Sequence, residues 1–243
     1  HECSSAASDV YKRQLPDGDA VVVDRGETIV ALDPQTGAVR WRHDQYGPSA
    51  VCGDVVLSCR FQVLKAIRGG RLLAQLPLRD FSDALALDPK QRRIAVARPH
   101  RITLIDLPSG TRHVQHGHDF CARYFSFRGE EFATSSLDRR VILWRKGDPS
   151  PQRVIEHTST TASGRPGAVD FDEVSVWVCM DRVVMRFDRQ GQQRACSEPM
   201  KDDGCLIRRV GDVVVVCAEA HRRSHGEIRI LDATTLQTRA VHR

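Results

Sequence analysis

IVALDPQTG, residues 29 to 37, reads as a short apolar strand that ends in an aspartate and runs into a turn. The same arrangement returns as ITLIDLPSG (102 to 110), VVMRFDRQG (183 to 191) and IRILDATTL (228 to 236), with Asp33, Asp106, Asp188 and Asp232 in register. β-branched and apolar residues favour a pleated, half-buried surface, while Pro, Thr, Ser, Asp and Gly supply turn backbone and local side-chain acceptors. The intervals 188 − 106 = 82 and 232 − 188 = 44, with a further unit ending near Trp144, give about 40 residues per repeat.

That is the period of a four-stranded propeller blade. From Asp19 onward short β-rich runs alternate with punctuators such as Gly53-Asp54, Gly69-Gly70, Pro108-Ser109-Gly110 and Gly211-Asp212, and no segment sustains a 3.6-residue apolar period. The expected fold is therefore all-β, a β-propeller of about six four-stranded blades over residues 19–45, 49–79, 82–115, 118–157, 167–197 and 204–242. The first blade has room for three strands only. It is expected to be incomplete, as in a fragment of a seven-bladed parent whose ring would close with strands from both termini. Residues 1 to 14, HECSSAASDVYKRQ, resemble translated vector sequence and are set apart as a non-native or disordered leader, with residues 15 to 243 forming one propeller domain.

Composition narrows the function classes. Hydrophobic residues make up 41% and charged residues 28%, and no apolar run approaches the roughly 18 to 20 residues of a membrane span. The 36 basic residues, 31 of them Arg, stand against 31 acids for a net charge of +5, an excess too mild to imply nucleic acid. The eight cysteines (Cys3, Cys52, Cys59, Cys121, Cys179, Cys196, Cys205, Cys217) form no C-x-x-C pair and several lie in apolar runs. They read as reduced, buried thiols of a cytoplasmic protein, with a Cys52–Cys59 bridge across one hairpin as the alternative.

Two stretches carry family resemblances. GHDFCARYFSFRGEEFATSSLDRRVILWR (117 to 145) resembles a WD-repeat blade, with Gly117-His118 at its start, an Asp in the following turn and a terminal Trp. The resemblance implies a structural hydrogen-bond network of His118, Asp138, Trp144 and either Thr134 or Ser136, of which Ser136 is the choice here. The terminal Asp of that family's motif is replaced by Arg145. A His, an Asp and a Ser also suggest a hydrolase triad, but the family spacing accounts for them and no G-x-S-x-G accompanies them. The second stretch, Ala31 to Trp41, matches the A-x-D-x-x-T-G-x-x-x-W pattern of quinoprotein-like (PQQ-like repeat) propellers through Ala31, Asp33, Thr36, Gly37 and Trp41. There the resemblance implies a docking role: the turn closes a hairpin and the Trp packs against the neighbouring blade. Quinone-dependent dehydrogenases of that class are expected to show adjacent cysteines and many such motifs, and this chain has no Cys-Cys pair.

No catalytic, cofactor or metal site is expected. His113, His116 and His118, and likewise His221 and His225, cluster in sequence, but neither group has Cys or carboxylate partners at ligand spacing. There is no G-x-x-x-x-G-K loop. The loops carry the remaining signal. The turns between second and third strands hold Arg25, Arg60, Arg98, Arg101, Arg139, Arg140, Arg182, Arg222 and Arg223, partly offset by Asp24, Asp138 and Asp181. The turns between first and second strands hold Asp17, Asp54, Glu130, Glu131, Asp172, Glu173 and Asp212. Arginine pairs planar and bidentate with carboxylate or phosphate. The expected function is a non-enzymatic interaction or sensor module of a larger bacterial cytoplasmic signalling or effector protein. As a monomeric domain it would bind an acidic or phosphorylated protein segment, without nucleic acid or membrane. A periplasmic quinoprotein-like scaffold is the alternative.

Overall fold

The computed structural model describes residues 12–14, 21–24, 28–33, 35–44, 49–52, 55–60, 63–77, 84–88, 93–106, 109–156, 167–180, 182–201, 204–218 and 227–242. Among them every regular element is a β-strand, and the 24 strands form six four-stranded sheets with strands adjacent in chain order. The first sheet is Lys12–Gln14, Val21–Asp24, Thr28–Leu32 and Val39–Asp44. The second is Ser49–Cys52, Val55–Arg60, Val63–Arg68 and Arg71–Pro77, and the third Ala84–Asp88, Arg93–Arg98, Arg101–Asp106 and Arg112–Gln115. The fourth is Ala122–Arg128, Glu131–Ser136, Arg140–Arg145 and Arg153–Glu156. The fifth is Val169–Phe171, Ser175–Met180, Val183–Asp188 and Gln193–Cys196, and the sixth Gly204–Val210, Val213–Ala218, Glu227–Asp232 and Thr238–His242. The architecture is all-β and propeller-like.

One expectation is corrected here: the first sheet is not a strand short. Lys12, Arg13 and Gln14 pair with Val23, Val22 and Val21. Three polar residues carry no strand pattern of their own, and the pairing with an apolar neighbour imposes the extended backbone. The rest of the segment set apart as a leader, residues 1–11, lies outside the described residues.

The chain divides into two compact units, residues 1–96 with 104–112, and residues 97–103 with 113–243. In the first, Ile29, Val56 and Ile67 form one apolar cluster, and Leu57, Leu64, Leu85, Leu87, Ile94, Val96 and Ile105 another. In the second, the fourth and fifth sheets bury Leu143, Ile155, Phe171, Val176, Val178 and Phe187 together, while Trp177, Val184, Met200, Val214, Val216, Leu231 and Leu236 make a core between the fifth and sixth.

The in-register aspartates explain the third-to-fourth-strand turns. Asp33 Oδ1 accepts the backbone N–H groups of Gln35 and Thr36, both at 2.9 Å, while its Oδ2 takes Arg40 from the next strand at 2.7 Å. Asp232 does the same with Thr234, Thr235 and Arg239, and Asp188 with Gln190, Gln192 and Arg194. In each turn the chain closes through a left-handed residue: Gly37, Gly110 and Gly191, and Leu236 in the sixth sheet. One carboxylate thus caps the turn and pins the outer strand. The Arg40 hydrogen bond, first, and the turn N–H groups hold the Asp33 carboxyl well below the usual carboxylate range. Turn N–H groups and Arg239 do the same for Asp232. A depressed folded-state pKa contributes stability that is present above the ordinary carboxylate pKa and is lost as pH falls through the lowered one.

The docking residues of the first sheet fall into this frame. Ala31 is fully buried, Thr36 and Gly37 form the exposed turn, and Trp41 is half-buried against Ile29, Val56 and Ile67. A Cβ built on Gly70 would lie 3.1 Å from the Trp41 Cβ, so the ring packs on the bare backbone of the second sheet's turn.

Candidate functional site

The fourth sheet is organised by one buried polar chain. Trp144 Nε1–H donates to Thr134 Oγ1 at 2.8 Å, and the Thr134 hydroxyl stands 2.8 Å from His118 Nε2. An indole can only donate and a carboxylate can only accept, so the Thr134 hydroxyl takes the Trp144 N–H and His118 Nδ1–H donates to Asp138 Oδ2 at 2.8 Å. Asp138 Oδ2 also accepts Asp119 N–H and its Oδ1 accepts Arg140 N–H, each at 2.9 Å. Burial opposes the charged form of Asp138, but the His118 hydrogen bond and these N–H groups outweigh it and lower its pKa. Trp144 stacks on Phe132 with ring centroids 5.9 Å apart. Gly117 lies so close that an added Cβ would sit 2.8 Å from the Trp144 ring.

Ser136 is not the hydroxyl of this chain, which corrects that choice in favour of Thr134. Both are fully buried and two residues apart on one face of Glu131–Ser136, but among the described residues Ser136 Oγ meets only Asp138 N–H, at 3.4 Å. Thr134→Val orphans the Trp144 N–H and His118 Nε2 and should cost about 2–3 kcal/mol, whereas Ser136→Ala should cost less than about 1 kcal/mol. Equal losses in urea unfolding would return the role to Ser136. Arg145, in the place of the motif's final acid, reaches Glu131 at 3.5 Å.

The turns between second and third strands show a feature that the order of residues alone does not. Left-handed backbone occurs at His100 (φ 61), Arg139 (φ 63) and Arg182 (φ 68), one in each described turn of this kind. At the other turns the described left-handed residues are Gly37, Gly69, Gly70, Gly110, Gly129, Gly147, Gly191 and Gly211, with Leu236 the exception. A side chain with φ > 0 costs roughly 1–2 kcal/mol that glycine avoids. Exit loops steady two of these turns: the His116 ring donates to the His100 carbonyl at 3.2 Å, and Met200 N–H to the Arg182 carbonyl at 2.6 Å. Because His116 and His118 are neighbours in one loop, that loop ties the His100 turn to the Asp138 turn.

The predicted arginines separate into groups. Arg139 and Arg182 are exposed, and their side chains make no hydrogen bond or ion pair among the described residues. Arg140 is engaged by Asp119 at 2.8 Å and Glu156 at 3.2 Å, which removes it from the ready contacts. Arg98 and Arg101 are half-buried and already have partners. Arg25, Arg222 and Arg223 lie outside the described residues, and so does the side chain of Arg60. Beside Arg139, Phe120 and Leu137 are exposed, at 58% and 41%, on either side of the Asp119–Asp138 contact. The expectations did not include His100, Phe120 or Leu137. A signal was present in Asp138-Arg139 and Asp181-Arg182, where arginine stands in the second place of a dipeptide whose hairpin form favours Asp-Gly.

The acidic turns are less bare than their composition suggests. Glu131 pairs with Arg189 at 2.7 Å, Asp172 with Arg209 at 2.6 Å and Asp212 with Arg239 at 2.7 Å. Asp17 and Asp54 lie outside the described residues. Cys121 and Cys179 are buried, and burial pushes the thiols of Cys196 and Cys217 up. Among the described residues no three His, Cys, Asp or Glu stand together as a metal site, and no helix is long and apolar enough to cross a membrane. His221 and His225 lie outside them.

No protein-family model matches the chain, and no curated protein matches it. Its fold is similar to that in the crystal structure of a computationally designed protein, Ika8, with a TM-score of 0.69 at 16% identity, over 97% of this chain and 87% of that one.

Proposed function

We propose that the chain is a β-propeller of six four-stranded blades whose second-to-third-strand turns hold an acidic or phosphorylated segment of a protein partner. It acts as a non-enzymatic interaction module of a larger cytoplasmic signalling or effector protein. The observation that carries this reading is the side chain, an arginine in two of three, at the left-handed position of each described turn of this kind. Among the described residues glycine relieves that backbone at the other turns, Leu236 excepted; at His100, Arg139 and Arg182 the side chain is retained against a conformational cost. Arg139 and Arg182 present two guanidinium groups to solvent without internal partners among the described residues, the state in which an incoming carboxylate or phosphate gains most.

A role for His118 as a catalytic base does not fit its surroundings. The residue is 4% exposed and both ring nitrogens are taken up by Asp138 and Thr134, while Thr134 is fully buried between His118 and Trp144.

The test separates binding from folding. Arg139→Gly/Arg182→Gly should leave thermal stability unchanged or raise it by up to about 1 kcal/mol per site. The same variant should weaken binding of a fluorescent phosphoserine- and glutamate-rich peptide at low salt by about tenfold or more. Wild-type affinity in the double variant would refute the reading.

A further inference from the structure

The third strand of the sixth sheet turns its charges inward. In Glu227–Asp232 both Glu227 and Arg229 are buried, while Ile228 between them is 44% exposed. A buried ion pair is a poor source of stability, since well-packed apolar side chains of similar volume often serve as well or better. What the guanidinium reaches accounts for the pair. Its Nε and Nη2 face Glu227 Oε1 at 2.8 and 2.6 Å, and its Nη1 donates to the carbonyls of Glu198 and Pro199, at 3.0 and 3.3 Å, in the exit loop of the fifth sheet. The Pro199 carbonyl and the Met200 N–H belong to one peptide unit, whose trans planarity points them in opposite directions. Arg229 holds the carbonyl, and the N–H donates to the Arg182 carbonyl at 2.6 Å. Upstream, the same loop is pinned by Ser197, whose Oγ accepts Val184 N–H at 2.9 Å and whose N–H donates to the Val184 carbonyl at 2.8 Å.

We infer that Arg229, buried and out of reach of any ligand, positions the Arg182 turn to receive one, an inference that rests on the acidic-segment reading above. A peptide plane held at its carbonyl cannot rotate its N–H away, so the Arg182 carbonyl keeps its donor and the residue keeps its left-handed backbone, φ 68. An L side chain relaxes readily out of that conformation unless its surroundings hold it there. With the turn held, Arg182 stays exposed and meets its ligand on an already ordered backbone, so less freedom is lost on binding. Lysine cannot take the place of Arg229. An ammonium lacks the planar fork that spans a carboxylate on one edge and two carbonyls on the other.

Two readouts on the whole chain test this. Glu227→Leu/Arg229→Met removes the clamp without stranding either charge. By hydrogen exchange the Met200 amide should then exchange at least about tenfold faster, while the amides of the fourth sheet keep their wild-type rates. Affinity for the fluorescent phosphoserine- and glutamate-rich peptide should fall about three- to tenfold, as in Arg182→Gly, and adding Arg182→Gly to the clamp variant should weaken it no further. Arg229→Lys, which keeps the charge, should behave like the clamp variant. An unchanged Met200 rate, or one that lysine restores, overturns the proposal. Faster exchange with wild-type affinity overturns it as well, and so do additive losses with Arg182→Gly. A wild type that binds no peptide refutes the acidic-segment reading and the ligand role of Arg229 with it, and is told apart from a failure of the clamp by the Met200 rate.

Discussion

Trp144→Ala should cost about 3–5 kcal/mol, the range for a fully buried aromatic truncated to alanine, and should lower the melting temperature by about 10 °C. Three losses combine. The ring is fully buried and stacks on Phe132, so its removal opens a cavity where three other aromatic side chains, Phe125, Phe127 and Phe132, already stack in a row. Its N–H no longer satisfies Thr134. The Gly117 backbone, which packs close against the indole and Pro151, loses its support on the indole side. Trp144→Phe keeps most of the stack and gives up the hydrogen bond, and should cost about 1–2 kcal/mol. Gly117→Ala should be damaging in the wild type and only partly relieved beside Trp144→Ala, since the clash with the indole is then gone while Pro151 Cγ still stands 2.9 Å from the added Cβ. An additive double-mutant cycle, or an unchanged melting temperature for Trp144→Ala, would show that the indole does not organise this sheet.

The parts of the molecule that were legible in the sequence are those built from local chemistry. Three of the four aspartate turns, those of Asp33, Asp188 and Asp232, declare themselves because acceptor, turn residues and closing arginine all lie within eight residues. The six sheets follow the runs and punctuators for the same reason. The Trp144 chain was legible as a motif down to the choice of hydroxyl. Thr134 and Ser136 point to one side of one strand, and only a distance decides between them. The strand at Lys12–Gln14 was not legible, because its pairing partner and not its own pattern makes it extended. The arginines at second-to-third-strand turns were visible as residue types. Their division into engaged Arg140 and unengaged Arg139 and Arg182 depends on where Asp119 and Glu156 come to lie. Joints between sheets were the least visible. Trp177 donates to the Ala233 carbonyl at 3.0 Å across 56 residues of chain, and no periodicity reports that.

Asp170 is the sharpest case of such a joint. It sits in the apolar run Ala168-Val169-Asp170-Phe171, 2% exposed, in the first strand of the fifth sheet. Oδ1 accepts the Ser126 hydroxyl at 2.7 Å from the first strand of the fourth sheet, and Phe171 N–H at 3.0 Å. Oδ2 accepts Arg209 N–H at 2.8 Å from the first strand of the sixth. One carboxylate therefore satisfies donors on three successive sheets, and each donor would otherwise be stranded where water has little access. Asp170→Ala should cost about 3–4 kcal/mol, because Ser126 and the Arg209 backbone lose their acceptor together while Arg208, 3.7 Å away, loses its counter-charge. Asp170→Asn should recover little of this, since an amide that keeps an oxygen towards Ser126 turns its NH₂ against the Arg209 N–H. Ser126→Ala, which leaves the carboxylate its other donors, should cost only about 1 kcal/mol. Urea unfolding of the three variants checks the order. If Asp170→Ala unfolds within about 1 kcal/mol of wild type, each sheet finds its acceptors without it.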